Sequence, residues 1–484
     1  MSNGLVQMKL AKQEKSHQNG QANGSVSHAN GSASYAKDHN QEESIGTQSD
    51  KEIWKKAHAH LIDTGVPYTP ILIRKAKGCL LYDSDGREIL DFTSGQMSSI
   101  LGHSHDEVVK VVQSSVASLD HLLTSFVSEP VADLAALLAS LLPDPLDRSF
   151  FLNTGSEVNE AAIKMAKCAT GKFEVIAFAS SYHGLTGGAG AATYVCGRKG
   201  GGPSMPGQLA FPTPNAMTSP FKKPDGTYDW ATEMMYGWDL IDRQTVGQIA
   251  CFILEPILST GGIIELPLGY LQKLHSECKK RNVLLIVDEA QTGCGRTGDL
   301  WAFQRDGIVP DFVTLSKTLG AGLPLASVTT TTEIAQAARK NGFFWITTHQ
   351  NDPLPAAIGV KVLEVVVREN LTARAAEMGK ILREGLLGLQ KKYSIVADVR
   401  GRGLLQGLEV VAPAHSTISG DKLGGKIADK AMELGLSCNI TNISGLAGVF
   451  RIAPPLVVEE LELRKAINIL DQAFEQVLQE VGLA

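Results

Sequence analysis

Residues 311–326 read "DFVTLSKTLGAGLPLA". Phe312 to Leu315 is a short apolar run of β type. Lys317 follows it and precedes a turn containing Gly320 and Gly322. Ten of the twelve residues from Thr314 to Leu325 are small or apolar, hydroxyls included. An ammonium group is costly to bury among such neighbours. A strand end can turn its lysine into solvent, as most lysines do. A phosphate-cradling loop needs its glycines before the lysine, and here they come after it. The third reading is a lysine that forms a Schiff base with a carbonyl compound. That reading requires partners elsewhere in the chain.

Working outward from this stretch, short apolar runs alternate with helical ones. "SFFLN" leads into "SEVNEAAIKMAKCATG", "EVIAFAS" follows, and later come "IACFILEP" and "LHSECKKRNVLLIVDEA". Strands of four to six apolar residues separated by helices indicate an α/β fold with a mainly parallel sheet covered on both faces. Ligands of such sheets collect at the carboxyl ends of the strands. Beyond about Asn370 the pattern shifts to a smaller α+β arrangement containing "VADVRGRGLLQGLEV" and "GVFRIAPPL". The expected division is a disordered tail over 1–50, an N-terminal segment over 51–95 packing with the small domain, a large domain over 96–369 and a small domain over 370–484. The tail is Ser, Asn, Gly, Gln and His with little to bury.

Bulk properties narrow the classes. The net charge of −6 disfavours nucleic acid or an acidic membrane surface as a partner. No apolar run approaches the length of a membrane span. Seven scattered cysteines without a C-x-x-C pair argue against a disulfide framework and for a reducing compartment, the cytoplasm.

Polar residues stand at several expected strand ends. Asp288 follows five apolar residues in "VLLIVDEAQTG". It either caps the next turn or pairs with a buried cation. Pyridoxal phosphate (PLP) supplies such a cation in its pyridinium nitrogen, and the same cofactor needs a lysine Schiff base. "NTGSEVNEAAIKMAKCATG" offers a phosphate site, because Thr154 and Glu157 fit a capping box and Gly155 permits close backbone approach. Tyr182 in "SSYHGLTGG" stacks on a flat ring or packs in the core. His183 beside it lacks a second ligand at metal-binding spacing. "GHSH" reads as a turn into a helix beginning near Asp106.

Taken together, these motifs resemble the class III, fold-type I, PLP-dependent aminotransferases. Within that family the chain is most similar to 2,2-dialkylglycine decarboxylase, over roughly residues 52–480. "EPILSTGGIIELPLGY", "DEAQTGCGRTG", "TLSKTLGAGLPLA", "THQNDPLPAA", "DVRGRGLLQGLEV" and "VFRIAPPL" carry the likeness. The resemblance implies a seven-stranded sheet in the large domain and a homodimer or dimer of dimers. Lys317 would hold the cofactor covalently, Asp288 its ring nitrogen and Gln291 its 3′-oxygen. Gly155 and Ser156 would bind phosphate, as would Thr348 for the partner subunit's cofactor. Tyr182 would stack on the ring, with His183 and Glu255 nearby. Arg451 would fork onto a substrate carboxylate.

Gln96, in "TSGQMSSILGH", would hold a leaving carboxylate perpendicular to the cofactor plane, selecting C–CO2 cleavage by orientation. The implied reaction is decarboxylating transamination of 2,2-dialkylglycines, such as 2-aminoisobutyrate or isovaline, with pyruvate or another small 2-oxo acid as acceptor. Two positions near the substrate pocket depart from the decarboxylase: Tyr182 replaces tryptophan and Thr260 replaces serine. They keep open an aminotransferase without decarboxylation, acting on a different amino acid or amine. A cofactor-free binding protein is the remaining alternative, and the retention of Lys317, Asp288, Gln291 and Arg451 opposes it. The resemblance also implies a K+ or Na+ site built from the carbonyls of Leu122, Thr348 and Gln350, the Thr124 hydroxyl and the Asp352 carboxylate. A second ion site loses one ligand, because Leu142 stands where the decarboxylase has threonine.

Overall fold

A computed structural model describes residues 49–198, 200, 202–414, 416–441 and 448–483. The expected tail lies outside the described residues up to residue 48. Two compact units are formed: one ends at Lys75 and takes in Tyr82–Arg87, and the other comprises Ala76–Leu81 with Glu88–Ala484. In the first, the helix Asp50–His60 buries none of its residues, and Asp50 accepts a hydrogen bond from Arg74 at 2.8 Å.

The second unit contains a seven-stranded sheet. Its strands are β1 (Leu146–Leu152), β2 (Glu174–Phe178), β3 (Gln208–Phe211), β4 (Ile249–Leu254), β5 (Leu284–Asp288), β6 (Phe312–Leu315) and β7 (Ala326–Thr331), in the spatial order β1-β7-β6-β5-β4-β2-β3. Only β7 runs antiparallel to its neighbours. The mainly parallel α/β architecture expected from the alternating runs is therefore present. Neither β3 nor β7 was evident in the sequence. β3 is only four residues long, and "ASVTTT" lacks the apolar run of a central strand.

Alternation along the strands separates two faces. Ala177, Cys251, Ile253 and Ile286 meet Val158, Ala161, Ala162 and Met165 of helix α1 (Gly155–Thr170). On the opposite face Phe178, Phe211 and Phe252 pack edge-on against one another and, with Trp238 and Tyr270, form an aromatic layer. Trp238 comes from the helix Trp230–Gln244 and Tyr270 from the helix Tyr270–Lys280. Helices thus cover both faces, as a parallel sheet requires.

The C-terminal part carries an antiparallel sheet of Val396–Arg402, Leu405–Val410, Gly448–Ile452 and Asn439–Thr441, in that spatial order. Helices Leu371–Lys392, Gly420–Glu433 and Glu460–Glu480 accompany it. The strand Glu88–Asp91 pairs in parallel with Leu436–Ser437. No helix among the described residues is long and apolar enough to cross a membrane.

Candidate active site

Five strands end at one edge and deliver polar residues to one cavity of about 360 Å³. β1 is followed by Asn153, Thr154 and Gly155, β2 by Tyr182 and His183, β4 by Glu255 and β6 by Ser316 and Lys317, while β5 ends in Asp288. β5 and β6 are parallel, with Asp288 opposite Thr314, so both strands open on the same side. Gly155, Ser156, Tyr182, His183, Glu255, Asp288, Gln291 and Lys317 all line this cavity.

Asp288 lies on the cavity floor and is buried. Its Oδ2 accepts hydrogen bonds from Asn159 Nδ2 at 2.7 Å and pairs with His183 Nδ1 at 2.9 Å; Oδ1 accepts from the Ala290 N–H at 3.0 Å. Burial pushes its carboxyl pKa up, but the His183 contact, the Ala290 N–H and the Lys317 charge outweigh it. The net effect holds the group below the usual carboxylate range. A permanent anion at this place suits a pyridinium nitrogen. Asn159 was not singled out in the sequence. It sits on the buried face of α1, donates a second bond to the His183 carbonyl at 2.9 Å, and accepts from the Thr314 hydroxyl at 2.7 Å. An asparagine among the apolar residues of that face was the available signal.

Lys317 is half-buried. Among the described residues it makes no ion pair or hydrogen bond. Burial lowers its pKa, with Asp288 and Glu255 opposing and Arg451 adding to the fall. A larger neutral fraction makes the amine a better nucleophile and base.

The start of α1 is built as expected. Glu157 N–H donates to Thr154 Oγ1 at 3.3 Å, and Thr154 N–H donates to Glu157 Oε2 at 3.0 Å. The N–H groups of Gly155 and Ser156 carry no hydrogen-bond partner among the described residues. Gly184 has φ +121° and packs so close that a Cβ there would lie 2.0 Å from Ser156 Oγ. The Leu185 N–H donates to that same hydroxyl at 3.1 Å. Gln291 Oε1 is buried and unpartnered. Unsatisfied N–H groups at a helix start, a buried anion, an orphaned amide oxygen and a neutral-leaning lysine around one cavity match the polar groups of PLP.

Glu255 is also buried. Burial pushes its pKa up to about 7, although the N–H groups of Tyr182 (3.0 Å) and Ser259 (3.2 Å) both donate to it. Arg451, on the strand Gly448–Ile452, is buried as well, and burial draws its pKa down to about 10. Its Nε and Nη2 donate to Asn439 Oδ1 at 3.0 and 2.6 Å, and Nη1 donates to Thr260 Oγ1 at 3.3 Å. Among the described residues no carboxylate forms an ion pair with it.

Gln96 is exposed and does not line the cavity. Arg451 and Thr260 do not line it either, and the Gln96 segment is bonded to the residue two beyond Arg451. Ser94 Oγ donates to the Ala453 carbonyl at 2.5 Å, and Ala453 N–H donates to the Phe92 carbonyl at 2.8 Å. Asp91 fixes the turn by accepting from the N–H groups of Thr93 (3.0 Å) and Gly95 (2.7 Å), and it pairs with His103 Nε2 at 2.7 Å. Arg296, fully buried, reaches Ser94 Oγ at 3.5 Å and also bonds the Pro454 carbonyl. Thr348 is exposed, away from the cavity lining. Of the expected ion ligands, Asp352 is buried and hydrogen-bonded to two imidazoles, and among the described residues Thr124 Oγ1 reaches only the Thr347 carbonyl, at 3.4 Å.

Residues 61–474 match the family model for class-III aminotransferases. An uncharacterized aminotransferase of Schizosaccharomyces pombe is 51% identical over 421 residues, covering 87% of this chain and 94% of the relative. A mitochondrial alanine–glyoxylate aminotransferase 2 homolog of Arabidopsis thaliana is 34% identical, covering 84% and 83%. The crystal structure of a taurine:2-oxoglutarate aminotransferase from Bifidobacterium kashiwanohense, in complex with PLP and glutamate, superposes with a TM-score of 0.81 at 28% identity, covering 90% of this chain and all of that one. The chain is a fold-type I, PLP-dependent enzyme and belongs to the class-III aminotransferases.

Proposed function

We propose that the enzyme is a decarboxylating aminotransferase of 2,2-dialkylglycines that passes the amino group to pyruvate or another small 2-oxo acid. The observation that carries this reading is Arg451. It is a buried guanidinium whose hydrogen-bond partners are an amide and a hydroxyl; among the described residues no carboxylate lies in ion-pair contact with it, and Glu255 acts on it only from a distance. A buried cation without a carboxylate in contact is costly. A substrate carboxylate removes that cost, so carboxylate-bearing substrates are favoured over plain amines.

PLP, when bound, supplies the covalent link to the amino group and the electron sink. Asp288 holds the negative charge facing the ring nitrogen, and Lys317 Nζ accepts and returns protons. In this reading Arg451 fixes one substrate carboxylate and the Gln96 amide holds a second, although neither lines the cavity; the Gln96 turn is hydrogen-bonded to Ala453, directly after the Arg451 strand. Orientation of the bond to be broken then decides between loss of CO2 and loss of a proton. Thr260, which accepts from Arg451, and Tyr182 bound the substrate. Mixing enzyme, 2-aminoisobutyrate and pyruvate and measuring CO2, acetone and alanine tests the reading. Alanine formation from other amino donors without CO2 release would replace it with a non-decarboxylating aminotransferase. Gln96→Ala should lose decarboxylation more than L-alanine transamination, and Arg451→Ala should damage the latter most.

The same reading includes a homodimer in which Thr348 reaches the partner's phosphate. Exposed Leu123, Phe126 and Val127, together with Phe344 and Ile346, lie close in sequence to Thr124 and Thr348 and support a covered surface there. An alkali-metal ion, K+ favoured over Na+, would sit at Asp352 with the carbonyls of Leu122, Thr348 and Gln350 and the Thr124 hydroxyl. Identical rates in K+, Na+ and a bulky organic cation would remove it. All seven cysteines are free, which supports residence in the cytoplasm.

A further inference from the structure

The Asp352 carboxylate is held between two imidazoles. His121 Nδ1 lies 2.7 Å from Oδ1, and His349 Nδ1 lies 2.7 Å from Oδ2. The three donors lie within 4.8 Å of one another, the spread of a single ion's coordination shell. None of the three residues lines the catalytic cavity.

Within one chain the carboxylate is buried and the imidazoles are partly exposed. Asp352 is 7% exposed and sits directly before the helix Pro353–Arg368. The turn that carries it is bolted to β1. Asn351, at φ +57°, donates its N–H to the Phe151 carbonyl at 3.0 Å, and its side-chain oxygen accepts from Phe151 N–H at 2.9 Å. The His349 carbonyl accepts from Asn153 Nδ2 at 3.3 Å. His121 arrives on a separate segment, linked to the same helix by a 3.5 Å bond from the Leu354 N–H to the Asp120 carbonyl. The side chains of His121 and His349 are 43% and 56% exposed. This arrangement places two imidazole nitrogens on one fixed carboxylate.

An ionised carboxylate only accepts hydrogen bonds, so both Nδ1 atoms carry a proton when no ion is present. Moving each proton to Nε2, which gives the other neutral tautomer, frees two nitrogen lone pairs beside the carboxylate. Two imidazoles and a carboxylate suit borderline divalent ions, whereas hard cations prefer oxygen alone.

We propose that His121, His349 and Asp352 form an accessory site for a divalent cation of the Zn2+ class. The site does not depend on the decarboxylase reading. It shares Asp352 with the proposed alkali-metal site, so the two ions exclude one another.

The test uses the purified holoenzyme, dialysed against chelator and then titrated with Zn2+ in equilibrium dialysis. Wild type should bind one Zn2+ per chain that His121→Gln and His349→Gln each weaken by at least about tenfold, the scale on which even outer partners of a metal act. Equal Zn2+ binding by wild type and both variants, or no binding by wild type, would overturn the proposal. Cobalt loading of the wild-type protein gives a check independent of variant folding. Visible bands without thiolate charge transfer support nitrogen and oxygen ligands. A thiolate spectrum would assign the ion to the cysteines and sink the site.

Discussion

The surroundings of Lys317 draw its pKa below the usual lysine range. Burial favours the neutral amine, and Asp288 keeps the opposite charge nearby. Lys317→Ala should abolish turnover and the visible absorbance of the lysine-bound cofactor; a variant that keeps both would refute the assignment. Asn159 acts through Asp288, by a hydrogen bond to a charged group. Such bonds contribute roughly 1.5–3 kcal/mol, so Asn159→Ala should lower kcat/KM by about 10- to 100-fold. It should also shift the pH at which the bound cofactor's absorbance titrates, which a packing role alone would leave in place. Glu255 supplies the pH dependence. With its pKa raised to about 7, it is neutral below that pH and ionised above it. Ionised Glu255 competes with a substrate carboxylate for Arg451. The KM for a carboxylate substrate should therefore fall between pH 8 and pH 6, and Glu255→Gln should flatten the profile. A KM that rises on acidification in wild type would contradict this sign.

At the scale of elements, the start of α1 joins stability to cofactor binding. The capping box satisfies the donors nearest Thr154 and leaves those of Gly155 and Ser156 for a phosphate. Thr154→Ala removes one cap, at a cost of about 1 kcal/mol. In a unit of this size that lowers the melting temperature by only about 1 °C, measurable by scanning calorimetry. Gly184→Ala is a harsher change at the same place, because its Cβ overlaps Ser156 and its φ is left-handed. It should cost phosphate affinity as well as stability. An alanine variant with wild-type cofactor retention would show that the loop does not support the helix start.

For the molecule as a whole, the cavity draws on five strand ends. A ligand held by so many elements binds the folded chain and not the unfolded one. At a cofactor concentration about 100 times Kd that adds roughly 2.7 kcal/mol. Removing PLP by dialysis with a carbonyl reagent should lower the melting temperature by several degrees, and adding it back should restore the difference. An apoenzyme that melts with the holoenzyme would mean that the cavity is not where the cofactor binds.

Much of this was fixed locally and was legible in the chain. The apolar runs of β1, β2, β4, β5 and β6, the capping box at Thr154, the left-handed Gly171 that ends α1 and the polar residue closing each strand follow from period, propensity and turn chemistry. A parallel sheet with helices on both faces also follows from them, and such a sheet gathers Asp288 and Lys317 at one edge. What the sequence left undecided depends on contacts between distant segments. Nothing near Asn439 announces that it caps Arg451, because their pairing is set by neighbouring antiparallel strands. Ser94 and Ala453 are 359 residues apart and meet only when the Gln96 turn packs beside the Arg451 strand. His121 and Asp352 are 231 residues apart, and their hydrogen bond depends on the helix Pro353–Arg368 lying beside the segment after Ser118. Local pattern specifies elements because backbone sterics and burial act over a few residues. Charge partners and side-chain networks are specified by packing, which only the folded chain contains.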